Sequence, residues 1–142
     1  MKISAKIDYA CKALLELSLH WPNNMPLQIN EIAQSQQIPL KFLTQIMLHL
    51  KQFGFVQSLR GKKGGYLLTK SPQKIRLSDV MESLGGSGYS NSENRQSKNS
   101  EHIMDMMWKE IDNVVMQTMD EMNFEKICDR KRKQDRSLVF QI

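Results

Sequence analysis

The sequence has no apolar run approaching the ~20 residues that a membrane-spanning helix requires, so no membrane partner is expected. It has two cysteines, Cys11 and Cys128, too few for a disulfide framework. A secretory signal is also missing. In MKISAKIDYACKALLELSLH the apolar residues are interrupted by Asp8, Lys12 and Glu16, and no small-residue cleavage site follows. The expectation is a cytoplasmic protein. Chemistry-bearing patterns are absent as well: no glycine loop between a strand and a helix, no nucleophile–base pair and no cluster of metal ligands. No catalytic residue, metal site or cofactor is therefore expected, and an enzyme is excluded. No internal repeat is visible.

What is present is unevenly charged. The 142 residues carry a net +5. Residues 1–84 hold 11 Lys and Arg against 5 Asp and Glu, a net of +6, while residues 85–142 hold 9 against 10, a net of −1. A basic module joined to a neutral one points to a polyanion, although a merely solvated basic surface gives the same count.

Periodicity predicts a first helix over 4–20, with Ile7, Ala10, Cys11, Leu14, Leu17 and Ser18 on one face. WPNNMP stops it. A short strand is expected at 27–29, then a helix capped by Asn30 and running to about Gln37. Pro39 suits the first turn of a third helix that buries Leu43, Ile46, Met47, Leu50 and Phe53 and ends at Gly54. Strands at 55–59 and 66–69 flank RGKKGG, which makes a hairpin with a basic tip. LSDVMESL over 77–84 reads as a short closing helix capped by Ser78. Helix, turn, helix and basic hairpin in this order is a winged helix-turn-helix.

The domain reading is then a DNA-binding winged helix-turn-helix at 1–84, a Gly/Ser/Asn-rich flexible loop at 85–100, and a dimerisation helix with a C-terminal tail at 101–142. The fold class is mainly α with a small β-hairpin. In the long helix Met104, Met107, Trp108, Ile111, Val114, Val115, Met119 and Met122 form one apolar stripe, too long for a small winged helix to cover. It is expected to pair with the same helix of a second chain, making a homodimer; packing within one chain is the alternative. The tail KICDRKRKQDR leads to a strand-like Leu138-Val139-Phe140.

Three segments resemble a known family. These are MKISAKIDYACKALLELS, the block LKFLTQIMLHLKQFGFVQSLRGKKGGYLLTK and the Trp-led C-terminal helix. Together they resemble bacterial repressors of the Rrf-two type, which include regulators of iron–sulfur biogenesis, nitric-oxide response and cysteine metabolism. The most specific element is R-G-x-x-G-G-Y-x-L from Arg60 onward. The resemblance implies a homodimer with the long helices crossing between subunits. Iron–sulfur members carry three cysteines in the loop that is 85–100 here, and this sequence has none there. The resemblance places His102 or Asp105 at a ligand position just before the Trp, and Asp8 at a ligand carboxylate position. Such oxygens and one imidazole are a poor soft-metal site, so no iron–sulfur cluster is expected. The chain resembles most the cluster-free cysteine-metabolism class. A cluster- or metal-dependent sensor with non-cysteine ligands is the alternative within the family.

Candidate DNA contacts follow from residue type and place. On the recognition helix, Lys41, Thr44, Gln45 and Leu48 face away from the apolar stripe; Gln45 can pair with adenine, and Thr44 with a base edge or a thymine methyl. In the wing, Arg60 suits a narrow minor groove and Lys62 and Lys63 suit phosphates, with Gly61, Gly64 and Gly65 allowing the turn. Lys2, Ser4, Lys6 and Tyr9 at the start of the first helix offer a phosphate site, or simply a charged helix end. Cys128 lies among Lys126, Arg130, Lys131 and Arg132; cations lower a thiol pKa, which makes it a candidate redox sensor, the other reading being a packing residue.

The function expected is a sequence-specific transcriptional regulator, a repressor, acting on a double-stranded DNA operator. A regulatory partner protein is among the candidate signals. A winged helix that binds proteins rather than DNA is the competing class, and the basic wing argues against it.

Overall fold

The structure, a computed structural model of the chain, describes residues 3–22, 25–85 and 102–140. Helix α1 spans Ala5–Leu19 and opens on Ser4, whose hydroxyl oxygen accepts the Ile7 N–H at 3.3 Å. Its buried face is Ile7, Ala10, Ala13, Leu14, Leu17 and Ser18. Cys11, expected on that face, is half-buried at its edge, and Ala13 holds the inner position instead.

Helix α2 spans Ile29–Gln36. The Gln28 N–H donates to the Glu31 carboxylate at 2.9 Å, so the helix starts before Asn30, and Asn30 lies in its first turn rather than capping it. Gln37 closes it in the left-handed region (φ 54°, ψ 46°). Two residues later Pro39 precedes α3, Leu40–Gln52, which buries Leu43, Ile46, Met47 and Leu50. Phe53 was expected inside with them but is 54% exposed. The helix has already ended, and Gly54 at φ +80° turns the chain away.

Strands β1 (Val56–Leu59) and β2 (Gly65–Leu68) pair antiparallel, Val56 opposite Leu68 and Leu59 opposite Gly65. The strand expected at 27–29 is a single bridge. Leu27 and Tyr66 exchange backbone hydrogen bonds of 3.0 and 2.8 Å, and Ile29 is already helical. A 3-10 turn at Pro72–Lys74 leads into α4, Leu77–Ser83. Ser78 does not cap α4. It is buried one residue inside, while the Arg76 N–H and guanidinium bond Asp79 across the helix start. That guanidinium holds the Asp79 carboxyl below its ordinary pKa.

Helices α5 (Ile103–Glu121) and α6 (Phe124–Phe140) follow. The expected strand-like Leu138-Val139-Phe140 is therefore helical, the last turn of a 17-residue helix. The joint between α5 and α6 is fastened to the winged-helix body. Arg76 and Asn123 form a bridge, Leu77 N–H donates to the Met122 carbonyl at 2.8 Å, and Phe124 N–H donates to the Ile75 carbonyl at 3.0 Å. Phe124 is fully buried and joins a core with Ile75, Val80, Met81 and the inner faces of α1 and α3. No helix among the described residues is long and apolar enough to cross a membrane. The expected flexible loop falls almost wholly on 86–101, outside the described residues.

Candidate nucleic-acid interface

Because α3 packs through Leu43, Ile46, Met47 and Leu50, its opposite side must face outward. Lys41, Thr44, Gln45 and Leu48 are all exposed there, with Leu48 at 55%. The Thr44 hydroxyl donates to the Leu40 carbonyl at 2.9 Å, which turns its lone pairs and methyl group outward. Lys41 makes no ion pair within the described residues.

The start of α1 lies beside this helix. Tyr9 stacks on Phe42, ring centroids 6.4 Å apart. Lys6, Tyr9, Phe42, Gln45 and His49 line a half-open cleft of about 360 Å³. Lys6 and Tyr9 are thus brought to the recognition helix, next to Gln45. Ser4 is spent on capping its own helix, so one N–H that a phosphate would need is already satisfied. Lys2 lies outside the described residues. Phe42, half exposed at 50%, was missed by sequence reasoning, although its spacing to Gln45 and His49 places the three on one side of the helix.

The wing carries the densest unpaired charge. Arg60, Lys62 and Lys63 are exposed, and none is ion-paired to a described residue. The tip closes on itself through the Gly64 N–H donating to the Gly61 carbonyl at 3.0 Å. Gly61 sits at φ +108°, and a Cβ on the buried Gly64 would overlap the Leu59 carbonyl, so larger residues would pry the tip open. Lys51 of α3 donates to the Ser58 hydroxyl of β1 at 2.8 Å, which ties wing to recognition helix. Elsewhere Lys12, Arg76, Lys131 and Arg132 are paired with carboxylates, while Lys74, Lys109, Arg130, Lys133 and Arg136 make no ion pair within the described residues.

The long-helix stripe divides. Met104, Met107, Trp108, Ile111 and Val114 are each at least 40% exposed. Val115 and Met122 are half-buried, and Met119, only 7% exposed, packs into its own chain's core. The C-terminal end of the stripe is therefore intrachain packing.

Of the two readings of Cys128, the structure supports the packing residue. Cys128 is fully buried, and desolvation pushes its pKa up to about 11, outweighing the lowering by Arg132. The premise of a cation-activated thiol is not met. Cys11 is pushed up to about 12, by burial and then by Asp8. His102 caps α5, its Nδ1 accepting the Met104 N–H at 3.2 Å. Among the described residues no three His, Cys, Asp or Glu side chains come together in a way that could hold a metal ion.

A recognition helix preceded by a short helix and followed by a cationic hairpin defines a winged helix-turn-helix protein. The family model described as Rrf2, iron-dependent transcriptional regulator, matches residues 3–130, and the chain belongs to that family. An rrf2-like HTH-type transcriptional regulator of Rhodobacter capsulatus is 41% identical over 86 residues, covering 59% of this chain and 57% of that protein. The HTH-type regulator IscR of Cereibacter sphaeroides is 36% identical over 85 residues, 59% of this chain and 55% of the relative. The chain thus matches little more than half the length of these curated relatives. Among solved structures, CymR, the global cysteine regulator of B. subtilis, superposes with a TM-score of 0.80 at 26% identity, over 92% of this chain and 98% of that one. T. potens IscR superposes at 0.78 with 24% identity, over 92% and 88%, a likeness of fold. The two cysteines are the chain's thiol donors for the iron in the family's description. One thiol is buried in α6, the other half-buried on α1, and both are held neutral well above pH 9. These residues do not fit an iron–sulfur cluster.

Proposed function

We propose that the chain is a sequence-specific DNA-binding transcriptional regulator, a repressor, that works in the cytoplasm as a homodimer without an iron–sulfur cluster. One observation carries this reading. The exposed polar side of α3 and the unpaired cations of the wing stand on one body, linked through Lys51 and Ser58. Lys41, Thr44, Gln45 and Leu48 read base edges in the major groove. Arg60 enters the adjacent minor groove, and Lys62 and Lys63 hold phosphates with the help of the Gly61–Gly65 backbone. Lys6 and Tyr9 steady the backbone beside Gln45. The exposed part of the α5 stripe, Met104 to Val114, meets a second copy.

The test is fluorescence anisotropy with duplex DNA across a salt series, comparing the protein with the double variant Lys62→Ala, Lys63→Ala. Each lost phosphate contact flattens the slope of log affinity against log salt by about 0.9, so a drop of roughly 2 is expected on every duplex. An unchanged slope would remove the wing from the interface.

A further inference from the structure

The flank between α1 and α3 holds a cleft that phosphate contacts alone do not fill. Phe42, Gln45, Ile46 and His49 recur at three- and four-residue steps along α3 and face Ala5, Lys6 and Tyr9 at the start of α1. Between them lies a volume of about 360 Å³, at the lower end of the ~300–1,000 Å³ range of small-molecule sites. One wall is the Tyr9–Phe42 stack, with ring centroids 6.4 Å apart and planes inclined by 27°. Ile46 belongs to the buried core and gives the cleft an apolar base. Phe42 is half exposed, so a large apolar ring of the reading head is left in water.

Among the described residues, one lysine and no carboxylate line this cleft. Lys6 is exposed and makes no ion pair within the described residues. Asp8, two residues along, is held by Lys12 at 2.8 Å. Gln45 and His49 add groups that can hydrogen-bond a polar substituent. A DNA phosphate on Lys6 satisfies its charge but leaves the two rings uncovered, because a phosphate buries no apolar surface. A molecule that satisfies both has a flat apolar ring and one negative charge. Its ring stacks on the aromatic wall, and its carboxylate accepts the ammonium N–H groups. A single lysine is too little for a polyphosphate, and the missing carboxylate disfavours a cation.

We propose that the cleft between α1 and α3 is a binding site for a small aromatic acid of one or two rings, and that its occupation displaces DNA. This rests on the DNA-binding reading and deepens it. Lys6 and Gln45 line the cleft and also stand in the proposed interface, so acid and duplex compete for the same two side chains. Mutually exclusive binding needs no movement of α5 or α6. It raises the apparent dissociation constant for DNA in proportion to one plus the ratio of acid concentration to its own dissociation constant.

The experiment uses the full chain with indole-3-acetate as the probe and neutral indole-3-acetamide beside it. Isothermal titration calorimetry measures both on the protein, on Lys6→Gln and on Phe42→Ala. Both side chains are exposed, so their loss leaves the core intact, and circular dichroism checks the fold. The acetate is expected to bind with a dissociation constant of about 1 mM or below. Phe42→Ala should weaken both probes about fivefold or more. Lys6→Gln should weaken the acetate about fivefold and leave the acetamide unchanged. Fluorescence anisotropy with duplex DNA, at an ionic strength held constant with sodium acetate, reads the competition. The probe at about five times its dissociation constant should raise that of DNA about sixfold, and sodium acetate alone should not. No binding of indole-3-acetate up to about 10 mM overturns the site. Binding that Phe42→Ala leaves unchanged overturns it too, since the probe then sits elsewhere. Equal losses of both probes in Lys6→Gln overturn the preference for an acid. Binding in the cleft with unaltered DNA affinity overturns the displacement and leaves the site standing. A protein that binds no duplex overturns the DNA reading, and calorimetry alone then decides the cleft.

Discussion

Gln45 and Leu48 differ from Lys62 and Lys63 in what they can tell a regulator. A glutamine at the edge of the recognition helix offers a donor and an acceptor at fixed separation, which matches adenine and no other base edge as well. In the proposed interface a lysine at the wing tip meets a phosphate that every sequence has. Gln45→Ala should therefore cost about 1–3 kcal/mol on the preferred operator and relax the choice at one base position, with little loss on random DNA. Selection of bound duplexes from a randomised pool, for the protein and the variant, reads this directly. Equal losses on all duplexes would assign Gln45 to the backbone or to the cleft it shares with Tyr9 and Phe42.

The thiols make a second prediction at this scale. Cys11 and Cys128 are held neutral in the fold, with pKa pushed up to about 12 and about 11 from the ordinary 9.0. Above pH 9 the unfolded chain gives up these protons while the folded chain keeps them. Their contribution to stability is full below pH 9 and is lost as pH rises through the folded values. Urea denaturation at about pH 8 and about pH 10 should show the fall, and Cys128→Ala should make it shallower. A thiol reagent at neutral pH should label the native protein slowly.

Among the elements, the joint between α5 and α6 carries the most. Two backbone hydrogen bonds and a fully buried phenylalanine hold it to the residues that open α4. The direction in which α5 leaves the reading head is thus fixed by packing and not by a hinge. Phe124→Ala should cost about 3–5 kcal/mol in urea denaturation, as expected for a cavity in a closed core. The paired ion contacts of Arg76 with Asp79 and Asp120 are half exposed and should matter much less. If Phe124→Ala cost under about 1 kcal/mol, α6 would be a loosely held arm.

At the scale of the whole molecule, a dimer with one reading head per subunit demands an operator with matching symmetry. Two half-sites should lie with centres one helical turn, about 34 Å, or a multiple of it, apart. Adding five base pairs between them should place the heads on opposite faces of the duplex and cut affinity sharply, while adding ten should restore much of it. Equal affinity for all three spacings would mean that each subunit binds independently.

The winged-helix order was legible because each of its signals is local. Periodicity marked α1 and α3, Gly54 marked the end of α3, and RGKKGG between two short strands marked the wing. So was the exposed side of α3, since burying Leu43, Ile46, Met47 and Leu50 leaves Lys41, Thr44, Gln45 and Leu48 no other direction. The rest depended on contacts between residues far apart in the chain. Only the tertiary structure turned Leu138-Val139-Phe140 into helix, because a charged run reads as polar tail until Phe124 and Cys128 are seen anchored in the core. Only it divided the α5 stripe into a buried end at Met119 and an exposed stretch from Met104 to Val114, since periodicity gives a face but not what covers it. It also chose between the two readings of Cys128: neighbouring cations in sequence favour a low pKa, but burial removes the water that a thiolate needs, and desolvation wins.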